Sequence, residues 1–151
     1  MQRQQDWRQR VDLRATRVGK GVFALRPFRK GQVVGQMHGT VVADDTCDPR
    51  YCVDLGEDCV LDPRAPFRYL NHSCEPNCEL VEHDAEPGCP QIWVYALRGI
   101  RPAAQLTIDY AWSAAAAIEC LCGAPSCRGW IVDADQLATL KRQRRSRSFA
   151  L

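Results

Sequence analysis

Between Arg68 and Cys78 the chain reads Arg-Tyr-Leu-Asn-His-Ser-Cys-Glu-Pro-Asn-Cys. Two carboxamides (Asn71, Asn77), an imidazole (His72), two thiols (Cys74, Cys78) and Pro76 share one short run. It is too polar for a core strand, where each polar group would need its own partner. It also has no glycine to make it a plain turn. A second concentration of ligand-type side chains follows at Cys120-x-Cys122-x4-Cys127, with Gly123 and Pro125 in its bend. Three thiolates leave a tetrahedral zinc ion one ligand short.

The chain has 151 residues, the size of one ordinary domain. Its apolar content of 46% is enough for a core, and no apolar run approaches the roughly 18 residues of a membrane span. The start, Met1-Gln2-Arg3-Gln4-Gln5-Asp6, is polar and lacks the apolar stretch of a signal peptide. Nine cysteines, an odd and clustered set, suit metal better than a disulfide framework. Cys47, Cys52, Cys59, Cys78 and Cys89 read as free buried cysteines. These features point to an intracellular protein, of the cytoplasm, or of the nucleus if the source is eukaryotic or a host receives it. The net charge of +2 hides an asymmetry. Residues 44–86 carry twelve acidic side chains against Arg50, Arg64 and Arg68, whereas residues 141–151 carry five basic ones and no acid. An acidic middle is the wrong sign for a phosphate backbone and the right sign for a cationic peptide; it also fits a solvated acidic surface.

Read along its length, residues 1–12 look like a polar leader with a short helix that frays. Strands are expected at Val22–Leu25, Gln32–Met37 and Gly39–Val42, then at Tyr51–Leu55 and Cys59–Leu61 across a Gly56-Glu57-Asp58 turn. Phe67–Leu70 suits one helical turn. Further strands follow at Leu80–Glu82, Ile92–Leu97 and Leu106–Ile108, with a turn over Glu86–Pro90. Ala111–Glu119 is alanine-rich without a breaker and predicts a helix. Asp133 or Asp135 would cap a last helix through Lys141, and Lys141–Ser148 reads as a disordered basic tail. Many short strands with frequent Gly and Pro turns make a mainly β, irregular domain.

The Arg68–Cys78 run resembles the RF-x-NHSC-x-PN signature of SET-domain protein lysine methyltransferases, with Tyr69 where that family usually has Phe. Three more segments fall in the family's order: Val18-Gly19-Lys20-Gly21-Val22-Phe23, then Gln105-Leu106-Thr107-Ile108-Asp109-Tyr110, then the cysteine cluster with Arg128 and Gly129. Together they span about residues 15–132. The resemblance implies a SET fold of several small sheets and short helices with a pseudoknot, closed by a post-SET zinc segment. Its expected divisions are a SET domain over 13–113, a linker helix and zinc segment over 114–132, and a C-terminal helix and tail over 133–151. It adds Cys74 as fourth ligand to Cys120, Cys122 and Cys127 of one Zn²⁺. His72 competes as a ligand on residue type, and the resemblance makes it a cofactor contact instead.

The cofactor implied is S-adenosylmethionine, held by Val18, Gly19, Lys20, Gly21, Arg68, Asn71, His72 and Tyr110. Trp130 fits packing on the adenine and fits an ordinary core role equally. Cys59 falls where many relatives carry a cofactor-contacting tyrosine. Tyr110 matches the catalytic tyrosine, with Gln105 in place of the motif's glutamate, and Tyr51 matches a second tyrosine of the substrate channel. The implied activity is methyl transfer to a lysine of a basic protein, a histone tail first. Two rivals remain. One is an inactive SET-like peptide-binding module; the other is a zinc-dependent interaction module offering its basic tail to nucleic acid or an acidic partner.

Overall fold

Among the described residues the chain forms twelve strands and one α-helix, all short. The computed structural model describes residues 7–86 and 89–148, and the side chains of Ala85 and Cys89 fall outside that description. In chain order the strands are β1 (Val11–Thr16), β2 (Gly19–Ala24), β3 (Val33–Met37), β4 (Gly39–Ala43), β5 (Val53–Gly56), β6 (Cys59–Pro63), β7 (Asn71–His72), β8 (Cys78–Glu86), β9 (Cys89–Ala96), β10 (Gln105–Ile108), β11 (Ile118–Glu119) and β12 (Trp130–Ile131). Helix α1 (Leu137–Ser148) closes the described chain, and 3-10 turns lie at Trp7–Gln9, Asp44–Thr46, Phe67–Tyr69 and Ala134–Gln136. The expected mainly β architecture of several small sheets is what forms.

The chain falls into two compact units. One comprises the residues up to Asn71 with Asn77–Thr107; the other comprises His72–Pro76 with the residues from Ile108 onward. In the first unit β1 and β2 form an antiparallel hairpin, Val11 opposite Ala24 and Thr16 opposite Gly19. Strand β10 pairs with the other edge of β2, Leu106 opposite Val22, and the sheet order is β1-β2-β10-β7. Alternation sends Val22, Ala24 and Leu106 inward, all fully buried. Asn77 fastens β10 in place: its Oδ1 accepts from the Thr107 N–H (2.9 Å) and its Nδ2 donates to the Gln105 carbonyl (2.8 Å).

A second sheet, β3-β9-β8, buries Ile92, Val94 and Ala96 from alternate positions of β9. Its first strand shifts register between Val33 and Gly35. The Arg10 guanidinium donates to the carbonyls of Val33 and Val34 there, both at 3.0 Å, satisfying acceptors at the irregularity. The third sheet, β4-β6-β5, turns through Gly56, Glu57 and Asp58, all at positive φ. In the second unit β11 pairs with β12, and Val132 and Leu140 are buried beside them in sequence.

Four expectations need correcting. The leader does not run to residue 12, because β1 begins at Val11, which is 1% exposed; residues 1–6 lie outside the described residues. Ala111–Glu119 is not a helix. Its backbone is claimed from far along the chain, with Trp112 O accepting from Asp133 N (2.7 Å) and Ala114 N donating to Gln136 Oε1 (2.8 Å). Ala111 sits at φ 47°, and nine residues are too few to hold a helix against that. The basic tail is helical through Ser148, continuing the helix that Asp133 caps by accepting from Asp135 N (2.8 Å); residues 149–151 lie outside the described residues. Finally, Cys47 and Cys52 are disulfide-bonded rather than free, their Cα atoms 6.3 Å apart across a tight turn, within the range a bridge spans.

A methyl group added at Gly39 would stand 2.3 Å from the Asp62 carbonyl oxygen and 2.8 Å from Pro63 Cα, both backbone atoms of β6. Gly39→Ala should therefore cost about 1–3 kcal/mol of stability, read as a lower urea midpoint. Gly99→Ala, with nothing within 4 Å of the added carbon, should stay within about 0.5 kcal/mol of the parent.

Candidate active site and metal centre

In the first unit Arg17 and Val18 close the β1–β2 hairpin, and Gly19–Gly21 begin β2. The Thr16 hydroxyl donates to Gly19 O (3.1 Å) and accepts from Val18 N (3.2 Å). Gly19 adopts φ +116°, a value open to glycine, and has free space where a Cβ would stand. With Val18 more than half exposed, the peptide groups here are approachable by a ligand. Asn71 ties this loop to β10, its Nδ2 donating to Lys20 O (3.0 Å) and to Gln105 Oε1 (2.9 Å). Gly21 leaves the room for that pair: a Cβ would lie 2.7 Å from Gln105 Oε1, 2.8 Å from Thr16 Cγ2 and 3.2 Å from Asn71 Nδ2.

Arg68 and Tyr51 also meet in this unit. The Arg68 guanidinium pairs with Asp62, donates to Pro63 O (3.0 Å) and lies 4.2 Å from the Tyr51 ring centroid. Tyr51 in turn packs edge-on against Tyr69 (6.3 Å), and Lys20 Nζ sits 5.1 Å from the Tyr69 ring. Arg68 is thus held on three sides, and the two tyrosines are oriented by cations.

The second unit gathers the sulfurs. Sγ atoms of Cys74, Cys120, Cys122 and Cys127 all lie within 4.8 Å of one another. The Cys74–Cys120 and Cys74–Cys127 separations are 3.8 and 3.9 Å. A zinc–sulfur bond of about 2.3 Å puts the edges of a tetrahedron at about 3.8 Å, so this donor set fits such an ion. Main-chain N–H groups point at the sulfurs, Arg128 N at Cys74 and Gly129 N at Cys127, both 3.4 Å. Burial pushes the Cys74 and Cys120 thiols up. Burial also acts upward on Cys122, but hydrogen bonds from Cys74 and Ala124 N–H and from the neighbouring thiols outweigh it, leaving that thiol at about 6. Glu75 secures the short His72–Pro76 strip by accepting from the backbone N–H of Ser126 (3.0 Å) and from its hydroxyl.

His72 stands beside this cluster and links it to Tyr110. Its Nδ1 accepts from the Tyr110 backbone N–H (3.1 Å), which places the ring proton on Nε2, 3.4 Å from Cys74 Sγ. Burial lowers the His72 pKa against the opposing pull of Asp109, which favours the neutral ring. Asp109 accepts from Arg128 (2.8 Å) and lies 3.6 Å from His72 Nδ1. The Tyr110 ring meets His72 edge-on and Trp112 at a tilt, with both centroids 5.4 Å away. Trp130 carries the Arg144 guanidinium 3.8 Å from its ring centroid.

Residues 19–111 match the family model of the SET domain. The chain belongs to the SET-domain family. It is 33% identical over 147 residues to Histone-lysine N-methyltransferase trr of Drosophila melanogaster, covering 84% of this chain and 6% of that protein. It is 32% identical over 127 residues to the Schizosaccharomyces pombe protein named Histone-lysine N-methyltransferase, H3 lysine-4 specific, covering 74% of this chain and 14% of that one. Against Histone-lysine N-methyltransferase ASHH3 of Arabidopsis thaliana the identity is 30% over 132 residues, covering 77% and 36%. The chain thus spans about a third or less of the length of these curated relatives.

Of the SET-family residues named from sequence, Gly19, Lys20, Gly21 and Asn71 come together in the first unit, as do Arg68 and Tyr51. His72, Tyr110 and the four cysteines come together in the second. Sequence reasoning missed Gln105, Glu75, Asp109 and Arg128 as working parts. Gln105 looked like a departure from the SET motif, yet its Oε1 supplies the acceptor that Asn71 uses, as a glutamate oxygen would. Asp109 and Arg128 adjoin motif residues, the one signal available for them.

Two glycines of the loop should respond differently to alanine. Gly21→Ala crowds side-chain tips and should cost about 1–3 kcal/mol, part of which Gln105→Ala restores in the double variant. Gly19→Ala meets no atom, and its cost comes from φ, so Gln105→Ala should not rescue it. Urea unfolding of the four variants and the parent measures the cycle; equal rescue of both would contradict the assignment.

Proposed function

We propose that this chain is a protein-lysine N-methyltransferase that uses S-adenosylmethionine, binds one structural zinc ion and acts on a basic protein, a histone tail first. The observation that carries the reading is the setting of Tyr110, whose backbone rests on a buried His72 and whose ring lies against Trp112, in a chain of the SET family. Retention of Asn71, His72 and Tyr110 together favours an enzyme over an inactive peptide-binding module.

The cofactor supplies an electrophilic methyl group on a sulfonium. Its proposed holders are Val18, Gly19, Lys20, Gly21, Arg68, Asn71, His72 and Tyr110. The open, approachable peptides at Val18 and Gly19 suit a ligand bound through the main chain. The lysine nitrogen forms the new N–C bond as the S–C bond breaks, and its proton leaves to solvent. That amine must be neutral, against an ordinary pKa of about 10.4. Aromatic surroundings and a nearby cation both lower that value; Tyr51 is the proposed channel residue. Tyr110 Oη steadies the methyl group by C–H···O contact, and most of the acceleration comes from alignment. Acidic side chains between Asp44 and Glu86 draw in a cationic peptide. No described helix is long and apolar enough to cross a membrane, and the enzyme is proposed to work in the cell interior, where such a substrate lies.

Incubation with radiolabelled cofactor and a panel of histones and other basic proteins tests the reading. Transfer to a lysine is expected, with a KM for basic peptide that rises with salt, since exposed charges are screened over about 8 Å at physiological strength. Tyr110→Phe should bind cofactor normally yet lose at least about tenfold in kcat, with less change in KM. Cofactor binding without transfer to any member of the panel would favour the inactive module, and near-normal turnover by Tyr110→Phe would remove that residue's role.

For the metal, one zinc per chain is expected by elemental analysis of protein purified without added metal. Cys122→Ser with Cys127→Ser should abolish it, since two thiolates cannot close a tetrahedral site. Chelation of the parent should release the four thiols to Ellman's reagent and lower the melting temperature. Metal content unchanged in the double variant would refute the ligand set.

A further inference from the structure

The last two turns of α1 carry Lys141, Arg142, Arg144, Arg145 and Arg147 with no acidic residue, and every residue from Lys141 to Ser148 is exposed. At 100° per residue these five cations point in all directions around the helix. Its leucines, Leu137 and Leu140, lie in the first turn, and Leu140 is buried. We propose that α1 is a docking element for the phosphate backbone of duplex DNA, separate from the methyl-transfer chemistry and not dependent on it.

Three observations favour DNA over other anionic partners. A helix that lies in a membrane interface needs one apolar face, and these two turns have none. A flat acidic protein surface meets one side of a helix and would leave the remaining cations unused. A groove between two phosphate rails meets several sides at once, and the major groove, about 12 Å wide, admits a helix. Four of the five cations are arginines, whose planar fork matches phosphate oxygens.

The helix is also held ready. Asp133 caps the turn that leads into it, Leu140 anchors its first turn, and the Arg144 guanidinium carbon lies 3.8 Å from the Trp130 ring centroid. Ser146 and Ser148 hydroxyls donate to the carbonyls of Arg142 and Arg144, both 3.2 Å. These contacts pre-arrange the cations and reduce what ordering would cost on binding. Arg144 is committed to Trp130, which leaves Lys141, Arg142, Arg145 and Arg147 to meet phosphates.

The test is fluorescence anisotropy of a labelled duplex of about 20 base pairs with the zinc-loaded full chain, between about 50 and 250 mM salt. Each phosphate neutralised contributes about −0.9 to the slope of log K against log salt, so the parent slope should be about −3 to −4. Arg142→Gln, Arg145→Gln and Arg147→Gln together should flatten that slope by about 2–3 and weaken binding at about 100 mM salt by tenfold or more. Circular dichroism and zinc content should match the parent. Should the triple variant fold poorly, Arg147→Gln alone should flatten the slope by about one. Vesicles of phosphatidylserine and phosphatidylcholine, and polyglutamate, should bind more weakly than DNA. No DNA binding by the parent at low salt, an unchanged slope in the variants, or tighter binding to vesicles or polyglutamate would each overturn the proposal.

Discussion

The Cys74 sulfur is where much of the second unit converges. Arg128 N–H and His72 Nε2 both point at it from 3.4 Å, and the sulfurs of Cys120 and Cys127 lie 3.8 and 3.9 Å away. The His72–Pro76 strip is short and is also fastened by Ser73 N to Ile108 O (3.0 Å) and by Glu75 to Ser126. Four facing thiols are a poor adhesive when protonated, since each is a weak donor and a weak acceptor. As thiolates around a cation they become strong ligands, and burial that works against the bare anion then works for the complex. The Tyr110 N–H in turn rests on the imidazole whose Nε2 lies 3.4 Å from the Cys74 sulfur.

Much of this was legible in the sequence, for local reasons. The Cys120–Cys127 spacing points to metal by residue type, whereas the roles of Asn71, His72 and Cys74 came from the resemblance of the Arg68–Cys78 run to the SET signature. The strands at Val33–Met37, Gly39–Ala43 and Val53–Pro63 announce themselves by alternation and by a Gly-Glu-Asp turn. What escaped were places where distant residues overrule local preference. Alanines at 114–117 favour helix, yet the segment's backbone is engaged by Asp133 and Gln136. Strand β1 escaped because its hairpin closes through Arg17 and Val18, not through the Asn-Gly or Asp-Gly pairs that mark such turns. The basic tail looked unable to fold on composition, and the contacts at Leu140 and Trp130 that fix it lie outside its own window.

Tyr69 and Gln105 show why a motif departure must be judged by geometry. Tyr69 replaces phenylalanine and keeps an aromatic face, which Lys20 approaches and Tyr51 packs against. Gln105 replaces glutamate and keeps an oxygen where Asn71 needs an acceptor, while giving up the charge.

Strand β10 lies between β2 and β7, so the central pairing of the first sheet joins residues near 22 to residues near 106. During synthesis the β1–β2 hairpin emerges long before its neighbour, and a lone hairpin is marginal in water. The open edge of β2 therefore waits, for the time it takes to make some eighty further residues, as a template for wrong partners. Strand β7 leaves the ribosome before β10, yet it joins this sheet only through β10.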